Sequence, residues 1–142
     1  MKIRLLMLGK TRRPEMTATL DDYVKRIGRA CLIELTEVRD GEAAVKKLDA
    51  DRAATALLLD AGGKALDSMG FAKWLGEQRD RGTREIIFVC GGAEGFPEAL
   101  RERVTQKISL SAMTYSHELA RVMLAEQIYR AFAILSGSPY PK

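Results

Sequence analysis

The sequence is poor in side chains that hold metal ions: it has one histidine and two cysteines in 142 residues. Cys31 and Cys90 have no second cysteine or histidine at ligand spacing, which argues against a structural zinc site. Both fall in predicted strands and read as small buried apolar groups in a reducing compartment. Long hydrophobic runs are also missing. None approaches the roughly 20 residues of a membrane span. The opening MKIRLLMLGK has too short an apolar run for a secretory signal, and no small-residue cleavage site. The expectation is a cytoplasmic chain with no membrane segment and no metal. Internal repeats and low-complexity stretches are absent too, so residues 1–142 read as one domain. Charge of one sign is not in large excess. Charged residues make up 30% of the chain with a net charge of +4, which suits a polyanionic partner without requiring one. The basic residues form small clusters: Lys10, Arg12 and Arg13; Lys25, Arg26 and Arg29; Arg79, Arg81 and Arg84; Arg101 and Arg103.

What is present is an alternation of apolar strands and helices. Lys2–Leu8 is a short apolar run ended by Gly9, a first strand. Met16, Leu20, Tyr23, Val24 and Ile27 recur at helical spacing. Residues 31–38 predict a second strand, and 42–54 an alanine-rich charged helix. Residues 56–60 (ALLLD) form a third strand, continuously apolar and so buried on both faces. Gly62 and Gly63 follow it. Ser68 predicts the N-cap of a helix that runs to about Arg81 and closes at Gly82. Glu85–Cys90 (EIIFVC) is a fourth strand, and Pro97 opens a short helix. Residues 107–110 form a fifth strand, 111–116 a polar loop, and His117–Ser136 the longest helix. Such alternation predicts an α/β fold, a mostly parallel sheet with helices on both faces.

Ligands of such sheets sit beyond the carboxyl ends of the strands. Three loops therefore matter: residues 60–63, 91–95 and 110–115. The glycine loop GGAEG lacks the Lys-Ser/Thr pair of a phosphate loop and does not fit G-x-G-x-x-G. Its glycines suit a ligand held by backbone amides and carbonyls, such as adenosine. A plain strand-to-helix turn is the other reading.

The last helix is apolar almost all round from Leu119 to Leu135, which one small domain rarely covers. A two-fold subunit interface would cover it. Its few polar groups are Arg121, Glu126, Gln127 and Arg130, with Glu126 and Arg130 at ion-pair spacing. His117 opens this helix, where the helix dipole disfavours a cation, so a neutral ring can accept a proton. Packing or capping is the alternative role.

EIIFVCGGAEGF, then ISLSAMTYSHELARVMLAEQIYRAFAI, then SGSPYPK resemble the bacterial large-subunit ribosomal RNA pseudouridine N3-methyltransferases, the minimal members of the SPOUT superfamily. MKIRLLMLGK and LLLDAGGKALDS match as well, so the resemblance covers essentially the whole chain. The segment between Val38 and Ala56 looks shorter than is usual in the family. The resemblance implies a C-terminal trefoil knot, a homodimer, and S-adenosyl-L-methionine as cofactor. It implies cofactor contacts at Leu59, at the glycine loop (Gly91, Gly92, Gly95), and at Leu110, Ser111, Ala112, Met113, Thr114 and Tyr115. The implied substrate is a pseudouridine of the large-subunit rRNA within the assembled 70S ribosome. The tail departs from the family: Tyr140 and Lys142 match, but Pro141 stands where a histidine is usual. Candidate catalytic residues are His117 as base, Tyr140 for positioning, and Arg121 or Arg130 as the charge that stabilises an anionic base. The alternatives are a SPOUT enzyme acting on another RNA, an inactive ribosome-binding SPOUT domain, and a flavodoxin-like nucleotide-binding domain.

Overall fold

The computed structural model describes residues 1–140. Ten elements follow in order: β1 (Lys2–Leu8), α1 (Pro14–Ile27), β2 (Leu32–Val38), α2 (Gly41–Asp49), β3 (Thr55–Ala65), α3 (Ser68–Asp80), β4 (Glu85–Cys90), α4 (Glu98–Arg103), β5 (Lys107–Ser109) and α5 (His117–Ser136). The strands form one sheet in the order β2-β1-β4-β3-β5, and every pairing is parallel. All six residues of β4 are buried, as its apolar run requires at the centre of a covered sheet.

Alternate residues of the strands feed two cores. Ile3, Leu5, Met7, Ile86 and Phe88 meet Leu20 and Ile27 of α1, Phe71 and Leu75 of α3, and Leu124 and Ile128 of α5. Leu6, Leu8, Ile87 and Val89 face the other way, toward Ala44 and Leu48 of α2 and Leu100 of α4. Three helices thus cover one face of the sheet and two the other.

Three local expectations are corrected. Asp67, not Ser68, caps α3: its carboxylate accepts the Gly70 N–H at 2.7 Å. Either side chain suits a cap, and Ser68 instead donates to Gln127 Oε1 of α5 at 2.8 Å. Helix α2 stops at Asp49 rather than near 54. Asp51 turns the chain by accepting the Ala53 N–H at 3.2 Å, and Arg84 fixes the turn with bonds of 2.8 and 2.9 Å to the same carboxylate. Strand β3 runs through Gly62 and Gly63 to Ala65, instead of ending at Asp60. It pairs with β5 twice, Leu59 and Lys64 both matching Ile108, with a register shift between them.

Gly63 makes that double pairing possible. A Cβ there would lie 2.8 Å from the Ile108 nitrogen and 2.8 Å from the Lys107 carbonyl carbon. Backbone atoms cannot step aside as a side-chain tip can. Gly63→Ala is expected to destabilise the protein by about 1–3 kcal/mol, the usual cost of overpacking, read as a lower midpoint in urea. An unchanged midpoint would show that the β3–β5 crossing relaxes freely.

Candidate active site

Leu59–Ala61 of β3, the carboxyl end of β4, the glycine loop and the segment before α5 enclose a cavity of about 440 Å³. Leu59, Gly91, Gly92 and Gly95 line it, and so do Leu110, Ser111, Met113, Thr114 and Tyr115. Ala112 belongs to the same loop but is exposed and outside the lining. His117 and Ala120 bring the first turn of α5 to the wall.

The glycine loop holds its shape by backbone contacts. The Gly95 N–H donates to the Gly92 carbonyl at 3.0 Å, and Gly95 adopts a φ of 76°, where a side chain would be strained. A Cβ on Gly92 would sit 2.8 Å from the Leu8 carbonyl oxygen. The loop is therefore packed against the end of β1. Across the cavity, the Ser111 hydroxyl accepts the Met113 N–H at 3.0 Å, and Ser109 donates to the Ser111 carbonyl at 2.8 Å. Burial pushes the thiol of Cys90, in the floor, up to about 12, so it stays neutral.

One ion pair in the wall has no counterpart in the sequence reading. Arg101 of α4 donates to Asp60 at 2.7 Å and lies 5.5 Å from the Phe96 ring centroid. The Gly62 N–H, 3.0 Å away, and Arg101 together hold the Asp60 carboxyl below the ordinary carboxylate range. The cavity thus combines apolar walls and backbone polar groups with one opposed charge pair. It lies within the size range of small-molecule sites. Its chemistry fits a zwitterionic nucleoside better than a polyphosphate, and it fits S-adenosylmethionine. Among the described residues there is no group of three or more His, Cys, Asp or Glu side chains able to hold a metal ion.

The catalytic candidates divide. His117 reaches the cavity, with its Nε2 3.8 Å from Glu118 Oε2. Arg121, one turn further, is fully buried and does not line it. Its Nη1 donates to the Gly9 carbonyl at 3.1 Å and to Thr11 Oγ1 at 3.0 Å. Its Nη2 donates to the Leu8 carbonyl at 2.7 Å and the Gly91 carbonyl at 3.3 Å. Arg121 clamps the ends of β1 and β4 and is not a free cation facing a substrate.

Arg130 and Tyr140 lie elsewhere. Arg130 is 13 positions beyond His117, about 20 Å along a helix at 1.5 Å per residue. It pairs with Glu126 at 2.7 Å, as the spacing predicts. Tyr140 donates its hydroxyl to the same Glu126 carboxylate and packs on Tyr129, ring centroids 4.8 Å apart. Burial first, then the bond to Glu126, raises the Tyr140 phenol above its ordinary value, so it remains a donor. Neither Arg130 nor Tyr140 lines the cavity. Pro141 and Lys142, the tail positions compared above, lie outside the described residues.

A family model described as "Predicted SPOUT methyltransferase" matches residues 1–141. The chain belongs to the SPOUT methyltransferases. A curated relative from Pelobacter propionicus, named ribosomal RNA large subunit methyltransferase H, is 42% identical over 151 residues and covers 99% of each chain. One of the same name from Solibacter usitatus is 41% identical over 140 residues, again covering 99% of each. Two solved SPOUT-type structures share the fold. The tRNA (m1G37) methyltransferase of Aquifex aeolicus superposes with a TM-score of 0.60 at 18% identity, over 99% of this chain and 75% of that one. AviRb of Streptomyces viridochromogenes, in complex with AdoMet, gives 0.56 at 12% identity, over 90% and 56%.

Proposed function

We propose that this SPOUT protein transfers a methyl group from S-adenosyl-L-methionine to N3 of a pseudouridine in the large-subunit rRNA of the assembled 70S ribosome. The observation that carries this reading is the cavity at the carboxyl edge. Its glycine loop and 110–115 segment occur in a chain matched end to end by relatives named for large-subunit rRNA methylation.

S-adenosylmethionine, when bound, supplies an electrophilic methyl on a sulfonium. The chain's own residues do the rest. Backbone groups of 91–95 and 110–115 hold and orient the nucleoside, and apolar Leu59 and Leu110 keep water out of the floor. The Asp60–Arg101 pair offers opposite charges to a zwitterionic amino-acid end. His117 accepts the N3 proton of the base as the N–methyl bond forms, and passes it to solvent. The thioether left by loss of the methyl, with the electron pair of the broken C–S bond, would stay held by the same backbone groups of 91–95 and 110–115.

The protein acts as a homodimer in this reading. Leu119, Met123, Glu126 and Arg130 lie on one stripe of α5 that α1 and α3 leave partly exposed. A two-fold partner on this stripe would bring Arg130 and Tyr140 of one protomer toward the cavity of the other. The C-terminal trefoil knot and a cytoplasmic site of action belong to the same proposal. Among the described residues, no helix is long and apolar enough to cross a membrane.

The test is incubation with radiolabelled S-adenosylmethionine and ribosomes lacking this methyl group, followed by nuclease digestion and mass spectrometry. Label at N3 of a large-subunit pseudouridine is expected. Label on another RNA, or none with cofactor still bound, would overturn the assignment.

A further inference from the structure

The basic clusters outside the loop after β1 each have at least one arginine held by a carboxylate. Arg26 pairs with Asp22, Arg84 with Asp51, and Arg103 with Asp49. Lys10 and Arg12, in the loop between β1 and α1, are exposed, and neither pairs with a carboxylate among the described residues. Unpaired cations in the last turns of the helices sit at the wrong end of the sheet. Helices following parallel strands carry the chain back to the amino edge, so Lys46 and Lys47, in the last turn of α2, lie away from the cavity.

The backbone of the Lys10–Arg12 loop is unusually well fixed for a connection at the surface. The Glu118 carboxylate accepts the Arg12 N–H at 3.1 Å and the Arg13 N–H at 3.0 Å. These two bonds hold the Glu118 carboxyl below its ordinary range, so it remains an acceptor at neutral pH. The Thr11 N–H donates to Glu37 at 2.9 Å, and Arg121 grips the Gly9 carbonyl and the Thr11 hydroxyl. The same two α5 residues connect the loop to the cavity. Glu118 follows His117 in the wall, and Arg121 also holds the Gly91 carbonyl.

We infer that Lys10 and Arg12 form a rigid docking ledge for the phosphate backbone of the RNA substrate. Two mobile charged tips on an immobile backbone grip a phosphate strand with little loss of chain entropy. Phosphate contacts set register rather than sequence. A ledge bolted to the cavity wall fixes how far the target base must reach. The inference rests on the RNA methyltransferase reading and adds the surface that meets the RNA.

The double substitution K10Q/R12Q tests it, with ribosomes as substrate and cofactor affinity measured separately by calorimetry. Cofactor Kd and saturating kcat are expected to stay at wild-type values. KM for ribosomes should rise about 10-fold or more at moderate salt, and the slope of log(kcat/KM) against log[salt] should flatten by about 1.5, two phosphate contacts' worth. K46Q/K47Q, which removes the same charge at the amino edge, should keep the wild-type KM and slope. Glu118→Ala frees the loop without removing its charges, so KM should rise with little change in slope. Wild-type KM and slope in K10Q/R12Q, or an equal effect of K46Q/K47Q, would overturn the ledge. Failure of the wild-type protein to methylate any RNA would instead sink the underlying reading.

Discussion

Replacing Arg121 by Met is expected to lower stability by about 3–5 kcal/mol, the combined effect of leaving several buried acceptors without a donor at about 1–3 kcal/mol each. Methionine fills much the same volume but donates nothing. The Leu8 and Gly9 carbonyls would lose donors that now sit at 2.7 and 3.1 Å, and each buried acceptor left unpaired costs about 1–3 kcal/mol. For a chain of this size the loss corresponds to a fall in Tm of roughly 10–20 °C. Cofactor binding should weaken as well, because the Gly91 carbonyl on the cavity rim loses its tie at 3.3 Å to the end of β1. Arg121→Lys keeps the charge but cannot reproduce a planar fork reaching four acceptors, so it should recover only part of the loss. Calorimetric melting with cofactor titration separates two roles. An anchoring arginine loses stability and cofactor affinity together. An arginine acting only on a charged substrate would leave Tm and cofactor Kd unchanged and lower kcat alone, and that result would overturn the anchoring role.

The same residue shows where sequence reading reached its limit. Periodicity placed Arg121 on the last helix next to a candidate site, and a cation there invites a chemical role. Its acceptors come from the ends of β1 and β4 and the loop after β1, up to 113 positions away in the chain. No local pattern reports such a distance. The Asp60–Arg101 pair was invisible for the same reason: its partners lie 41 positions apart, one in the middle of β3 and one on the helix after the glycine loop. The sheet itself was legible because EIIFVC and ALLLD admit little besides buried strands. The glycines after ALLLD misled. They read as part of a loop at 60–63, but Gly63 serves a close crossing of two backbones. Equivalent caps side by side, Asp67 and Ser68, differ only in that Ser68 has a tertiary partner.

Mixing two inactive variants should restore activity if the catalytic site is shared between protomers. Gly92→Val drives side-chain atoms toward the Leu8 carbonyl, already 2.8 Å from a Cβ at that position, and deforms the glycine loop. Arg130→Met with Tyr140→Phe leaves the cavity intact but removes the cation and the hydroxyl that meet at Glu126. Each variant by itself is expected to lose turnover by about 100-fold or more, the scale for losing a transition-state charge or a positioned cofactor. After dissociation and random reassembly, about half the dimers are mixed, and each mixed dimer has one cavity intact with the other protomer's Arg130 and Tyr140 facing it. About a quarter of wild-type turnover should return. The separation of about 20 Å between His117 and Arg130 within one protomer makes this a sharp test. Recovery means that the base is activated in one chain and steadied by the other. A mixture that stays as inactive as its parents, with mixed dimers verified by native mass spectrometry, would mean that the Arg130–Tyr140 cluster holds the fold or the interface and never meets the substrate.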